Sequence, residues 1–296
     1  MNNARIIART LLLTATLLVV TACSTVRLAY NQAPQLTYWW LDGFADFTPV
    51  QAPVVRQDIE RFLDWHRNRE LPAYAALLQQ WQTLVMQDIT PAQACTQFDA
   101  VRSALMRSSE MSLEPLTRMA LSLSAEQLLT LQKKQAKSID KFDKEFLRGS
   151  PEKRLDSRLE KAQERAEKLY GRLTPTQRER LRRDLQMSPF DAQKTRLERV
   201  RSHTDMRQTI AALQNAHAGT TAEAMAPAAL DISRQFIKRF QHSPLPGYKV
   251  YSDSMVNQAC DSFASLHNST NMQQRQQALK VLQGYEEDVR VLAGQP

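Results

Sequence analysis

His66 and Glu70 lie four residues apart in the run from Asp64-Trp65-His66-Arg67 to Glu70-Leu71-Pro72, so a helix there would set an imidazole and a carboxylate on one face. Asp42 and Asp46 add two carboxylates a little upstream. Groups of these kinds can hold a metal ion or shuttle a proton. Zinc ordinarily takes three or more protein ligands, however, and neither HExxH nor any paired-histidine spacing occurs. A glycine-rich phosphate loop, a GxSxG turn and a cysteine with a local histidine signature are missing as well. With no nucleophile in view, no catalytic residue, no metal and no cofactor is expected. The four groups read as a polar network that ties the first helices together, with Trp65 in the core. The other histidines, His203, His217, His242 and His267, stand alone and are expected on surfaces or loops.

The cysteines point to different chemistry. Arg5 and Arg9 precede an apolar run from Leu11 to Val20, and small residues come just before Cys23, which is the order of a signal peptide over residues 1–22. A run of about ten residues is too short to cross a hydrocarbon core of about 30 Å as a helix. Val20-Thr21-Ala22-Cys23 resembles the lipobox of bacterial lipoproteins. That resemblance implies a lipidated Cys23 at the mature N-terminus, and more than one acyl chain there would make the membrane attachment stable. Ser24, where some lipoproteins carry Asp, is similar to the outer-membrane sorting signal and implies a place on the periplasmic face of that membrane. Cys95 and Cys260 then form an even pair in an oxidising compartment and are disulfide candidates.

These residues need elements to position them, and composition says which. Only 7 glycines occur in 296 residues, well below the usual fraction of about 7%, so tight turns are few and helices are favoured. Helix starts are written as Ser or Thr with Gln or Glu three residues later, often with Pro at the first helical position. Thr48 with Gln51, Thr90 with Gln93, Ser124 with Gln127, Thr174 with Gln177 and Thr270 with Gln273 all fit. Apolar residues then recur at helical spacing, as in Ile59, Phe62 and Leu63. The reading is all-α, with helices near 33–44, 49–69, 72–87, 91–108, 113–121, 125–147, 151–171, 175–187, 189–216, 222–241, 249–266 and 271–291. Residues 23–296 are expected to form a single helical domain.

One stretch is electrostatically distinct. Residues 151–201 carry 15 Lys or Arg against 9 Asp or Glu, net +6, which equals the charge of the chain after residues 1–22 are removed (39 − 2 = 37 basic, 31 acidic). Its apolar residues are sparse, so a long basic hairpin projecting from the multi-helix body is expected, with Arg178, Arg180, Arg182 and Arg183 as the binding candidate.

The N-terminal region is dense in aromatics: Tyr38-Trp39-Trp40-Leu41-Asp42, then Asp64-Trp65-His66-Arg67, then Glu70-Leu71-Pro72 and Tyr74. This order of WWLD, WHR and ELPxY resembles an uncharacterised family of proteobacterial lipoproteins. The resemblance implies lipoprotein character and a helical fold, and brings no activity with it. Trp39, Trp40, Asp42, Asp64, Trp65, His66, Arg67 and Glu70 are expected to be structural scaffold. The recurring Leu or Ile, Ser or Thr, x, x, Gln at Ile89–Gln93, Leu123–Gln127 and Leu173–Gln177 resembles the LTxxQ motif of periplasmic helical chaperones of the Spy and CpxP type.

Together these features lead to the expectation of an outer-membrane-anchored periplasmic lipoprotein with a non-enzymatic binding, chaperone-like or envelope-maintenance role. Its partners would be the membrane through Cys23 and an envelope protein or anionic envelope polymer, while a periplasmic address removes nucleic acid. The alternatives are an enzyme acting on an envelope polymer through Asp42, Asp46, His66 and Glu70, and a structural spacer. Mass spectrometry of the native N-terminus is expected to find an acylated Cys23, and Cys23→Ala to release the protein from membranes; a Cys23→Ala protein that stays membrane-bound would refute the anchor.

Overall fold

The computed structural model describes residues 25–216 and 227–294. Among them every regular element is a helix, and none is long and apolar enough to cross a membrane. Cys23, the 1–22 segment and His217 lie outside the described residues.

The chain runs through α1 (Thr25–Asn31), α2 (Ala33–Ala45), α3 (Gln51–Trp65), a π-helical turn (His66–Glu70) and α4 (Leu71–Leu84). It continues through α5 (Pro91–Met111), α6 (Leu113–Ser122), α7 (Ala125–Phe146), α8 (Pro151–Tyr170) and α9 (Pro175–Gln186). The last elements are α10 (Ala192–Ala216), α11 (Pro227–Gln241), α12 (Tyr248–Asn268) and α13 (Met272–Ala293). The break expected between residues 69 and 72 is absent. Pro72 lacks the N–H that would bond the Asn68 carbonyl, and the chain answers with a π turn that carries the helix on from Gln51 to Leu84.

This long helix belongs to two lobes. The first gathers α2, α3, α6, α7, α10 and α11 around Ala45, Ala120, Leu131, Ile210 and Leu213. The second gathers α1, α4, α5, α8, α9, α12 and α13 around several smaller clusters, such as Val85, Tyr170, Ala278 and Leu282. The alanines in these contacts, Ala278 and Ala229 among them, let helices approach closely.

What aligns the helices within each lobe is a repeated pairing of capping glutamines. In the second lobe the Gln177 Oε1 accepts from the Thr174 N–H of its own helix start (2.9 Å), and the Gln274 Oε1 does the same for Asn271 (3.1 Å). The two carboxamides then face each other and exchange two hydrogen bonds of 2.9 Å. Each keeps one N–H for the opposite turn, Gln177 donating to the Ser269 carbonyl and Gln274 to that of Arg172. In the first lobe Gln51 and Gln127 repeat the arrangement, with mutual bonds of 3.2 and 2.7 Å and donations to the carbonyls of Ser122 and Asp46. The last helix start is capped by Asn271 with Gln274, one residue later than the Thr270–Gln273 reading, because Asn also accepts at a cap.

The basic segment is corrected by this pairing. α8 and α9 do form a hairpin, but it does not project: its turn is clasped to the α12–α13 turn, Tyr170 and Leu173 are buried, and α8 lies along α13 while α9 lies on α12. Some of its charges are answered nearby, Arg182 by Asp156 and Lys161 by Glu145, and Arg196 of α10 pairs with Asp143.

Gln177→Ala would remove a cap and strand the donors and acceptors of a second buried glutamine. A loss of about 2–4 kcal/mol is expected in urea unfolding. Gln93→Ala, at an exposed capping box, is expected to cost only about 1 kcal/mol. Equal losses for the two would show that the pairing adds nothing to capping.

Candidate functional site

The π turn gives His66 and Glu70 separate surroundings. His66 sits among the rings of Tyr30, Phe62, Trp65 and Tyr74, with its Nδ1 3.0 Å from the Tyr30 hydroxyl. Burial lowers its pKa, and the charge of Glu70 opposes that only in part. Glu70 is 2% exposed and is gripped by Arg107 of α5 through two bonds of 2.8 Å. The Arg107 hydrogen bonds hold its carboxyl below the usual range against the opposing effect of burial. This carboxylate therefore ties α4 to α5.

Asp42 and Asp46 lie at the other end of α3, about 22 Å away by helix rise. Asp42 accepts from the Phe47 N–H at 2.9 Å, and Asp46 turns the chain in the left-handed region at φ 53. The four groups are thus not brought together, and among the described residues no set of three or more His, Cys, Asp or Glu could hold a metal. Scaffold is also too broad a reading for the aromatic motif. Trp39 and Trp40 are 60% and 64% exposed, Asp64 is exposed, and Trp65 is half-buried rather than central; Arg67 lies over the Tyr30 ring.

The basic candidates are divided as well. Arg180 bonds Ser265 of α12, Arg182 bonds Asp156, Arg178 is half-buried, and of the four only Arg183 is exposed. They do not make one open patch.

The geometry instead gathers apolar side chains. Cys95 of α5 and Cys260 of α12 are joined in a disulfide with Cα atoms 5.3 Å apart. Beside that staple an apolar groove of about 340 Å³ opens between α4, α5, α12 and α13. Trp81, Val85, Phe98, Val101, Phe263 and Leu282 line it, together with Tyr170 and His267. Phe98, Val101 and Leu105 recur at helical spacing and are exposed, so the groove continues as an apolar stripe along α5.

His267, expected on a surface, is 2% exposed. Its Nε2 lies 2.8 Å from the Gln87 carbonyl, which can only accept, so Nε2 donates. The neutral ring then accepts from the Tyr170 hydroxyl at Nδ1 (2.9 Å). Burial is the main cause that lowers the His267 pKa; Arg275 adds to it, while the Gln87 hydrogen bond and Asp88 act the other way. Asn268 next to it grips the Ile89 backbone with two bonds of 2.9 Å, so three interhelix turns meet at this point. The spacing of His267 in the sequence carries no trace of this role. Its partners come from positions 87 and 170, and a lone histidine without local pattern reads as surface.

The chain belongs to a family of unknown function (DUF6279), whose model matches residues 43–226, more than half of its length. No curated protein and no solved structure matches it significantly.

A histidine kept neutral by burial binds fewer protons when folded than when unfolded, so its contribution is whole above the ordinary value of 6.5 and is lost as pH falls below it. His66 and His203 are lowered in the same direction, chiefly by burial. The urea midpoint is expected to fall between pH 7 and pH 5.5, and His267→Gln to be less stable at pH 7 with a flatter dependence over that window. A midpoint independent of pH there would contradict neutral, buried imidazoles.

Proposed function

We propose that this family member is a non-enzymatic lipoprotein, held to the periplasmic face of the outer membrane by Cys23, that binds apolar segments of client proteins in the envelope. The observation that carries the reading is the open groove beside the disulfide. Its lining is aliphatic and aromatic, it adjoins the exposed stripe of α5, and water-exposed apolar surface of that continuity marks a place where another molecule is buried. An apolar wall contributes affinity through area removed from water, about 25 cal/mol per Å², and suits clients that share hydrophobicity rather than sequence.

Three further features support it. The signal peptide and the lipobox-like Val20-Thr21-Ala22-Cys23 give the address, and a disulfide between α5 and α12 suits an oxidising compartment. The likeness of Leu123–Gln127 and Leu173–Gln177 to the LTxxQ motif of helical periplasmic chaperones is consistent with a client-binding role. Of the carboxylates of the enzyme alternative, Asp42 is engaged in a turn and Glu70 with Arg107.

Phe98→Asp with Val101→Asp is expected to leave the helical fold intact, since both side chains are exposed, and to weaken binding of an amphipathic helical peptide at least tenfold, about 1.4 kcal/mol. Fluorescence anisotropy of the labelled peptide reads this directly. Reversing Arg178, Arg180, Arg182 and Arg183 to Glu is expected to change that binding little. If the apolar variant binds as well as the wild type, the groove is not the client site; if the charge-reversed protein alone loses binding, the basic face is.

A further inference from the structure

A second cavity system starts within the first lobe and ends at its border with α12. An apolar compartment of about 470 Å³ is enclosed by α2, α6, α7, α10 and α11, within the range of about 300–1,000 Å³ usual for small-molecule pockets. A polar compartment of about 810 Å³ lies between α10, α11 and α12, with Arg102 of α5 at its edge. The two are continuous in one important sense: His203 and Met206 line both. On α10, Thr195, Arg199 and Ser202 face the polar compartment, while Thr209, Ile210 and Leu213 face the apolar one, and all fall on a single helical face. α11 repeats the order, with Ser233, Phe236 and Ile237 in the apolar part and Phe240 and Gln241 in the polar part. The compartments therefore lie end to end along one groove, greasy at one end and charged at the other.

Length and charge select the occupant. From His203 to Leu213 the apolar part spans ten helical steps, about 15 Å at 1.5 Å per residue, which is half of a hydrocarbon core of about 30 Å and so the reach of one acyl chain. The polar part holds Arg102, Arg199 and Lys249 against Glu198 and Asp253. Glu198 is already neutralised by Arg201 at 2.7 Å and also bonds Ser243. Asp253 pairs with Lys249. With those pairs set aside, the positive charge that remains is that of Arg102 and Arg199, the latter 4.8 Å from the Phe142 ring. Trp40 and Leu116, both exposed, stand at the rim of the apolar part.

We infer that this groove binds a membrane-derived amphiphile with one acyl chain and an anionic headgroup, the chain lying between α2, α6, α7, α10 and α11 and the headgroup at Arg102 and Arg199. This site is distinct from the groove proposed for client segments: its apolar part lies in the first lobe, and its polar part lies where α10 and α11 of that lobe meet α12 and Arg102 of the second.

The full chain titrated with a dansyl-labelled long-chain fatty acid, and separately with its uncharged methyl ester, tests this. Saturable fluorescence enhancement is expected for both, tighter for the acid. Arg102→Glu, at a position on the outer edge of the polar compartment, is expected to weaken the acid at least tenfold and the ester by less than threefold. Met206→Trp, which fills the junction, is expected to weaken both, with circular dichroism to show that it folds. The client-groove variant Phe98→Asp with Val101→Asp is expected to bind the acid as the wild type does. The inference is overturned by absence of saturable binding, by a charge variant that binds the acid unchanged, by a folded Met206→Trp that keeps both affinities, or by loss of acid binding in the client-groove variant, which would put the amphiphile in the client groove.

Discussion

Two pairs of glutamine carboxamides, buried except for the half-buried Gln51, govern how this protein is put together. A helix start leaves backbone N–H groups without partners, and a glutamine at the third helical position closes one of them with its own oxygen. Here that oxygen has a second lone pair and the amide has two protons, and all are used: Gln51 with Gln127, and Gln177 with Gln274, each cap their own helix, the partner glutamine and the opposite turn. Glutamate could not replace them. It would lose both donors and would bring two negative charges together inside the protein, where their separation from water is costly. The same residue thus starts a helix and fixes where the neighbouring hairpin must end.

Hairpin ends are held by polar clasps, and the core is divided into several small clusters instead of one. Between the clusters lie two grooves, one near the Cys95–Cys260 bond and one along α10. A hydrogen-bonded clasp is directional and keeps its geometry when the space beside it is unfilled, whereas a hydrophobic contact would draw the helices together.

The positive charge of the sequence has a different meaning in the folded chain from the one its density implies. Arginines of α8, α10 and α11 answer carboxylates on neighbouring elements, as Arg196 does Asp143 and Arg239 does Asp205, or lie over rings, as Arg158 does Phe190. These part-buried pairs join α10 to α7 and α11 to α10. Arg107 differs because its partner Glu70 is buried, and removal of either group would leave the other without its counter-charge.

The all-helical class, most helix limits and the helix-start glutamines could be read from the sequence by itself, because each rests on interactions within three or four residues: capping, the rarity of glycine and apolar periodicity. The pairing of Cys95 with Cys260 was one of few combinations that three cysteines allow. Tertiary structure alone decided which glutamine meets which, that His267 is buried between Gln87 and Tyr170, that Trp39 and Trp40 face outward, and that the basic hairpin lies against α12 and α13. It also separated Asp42 and Asp46 from His66 and Glu70 by the length of α3. The physical reason is range: periodicity states that a helix has an apolar face, but the partner of that face comes from segments one or two hundred residues away, and only the folded chain brings them into contact.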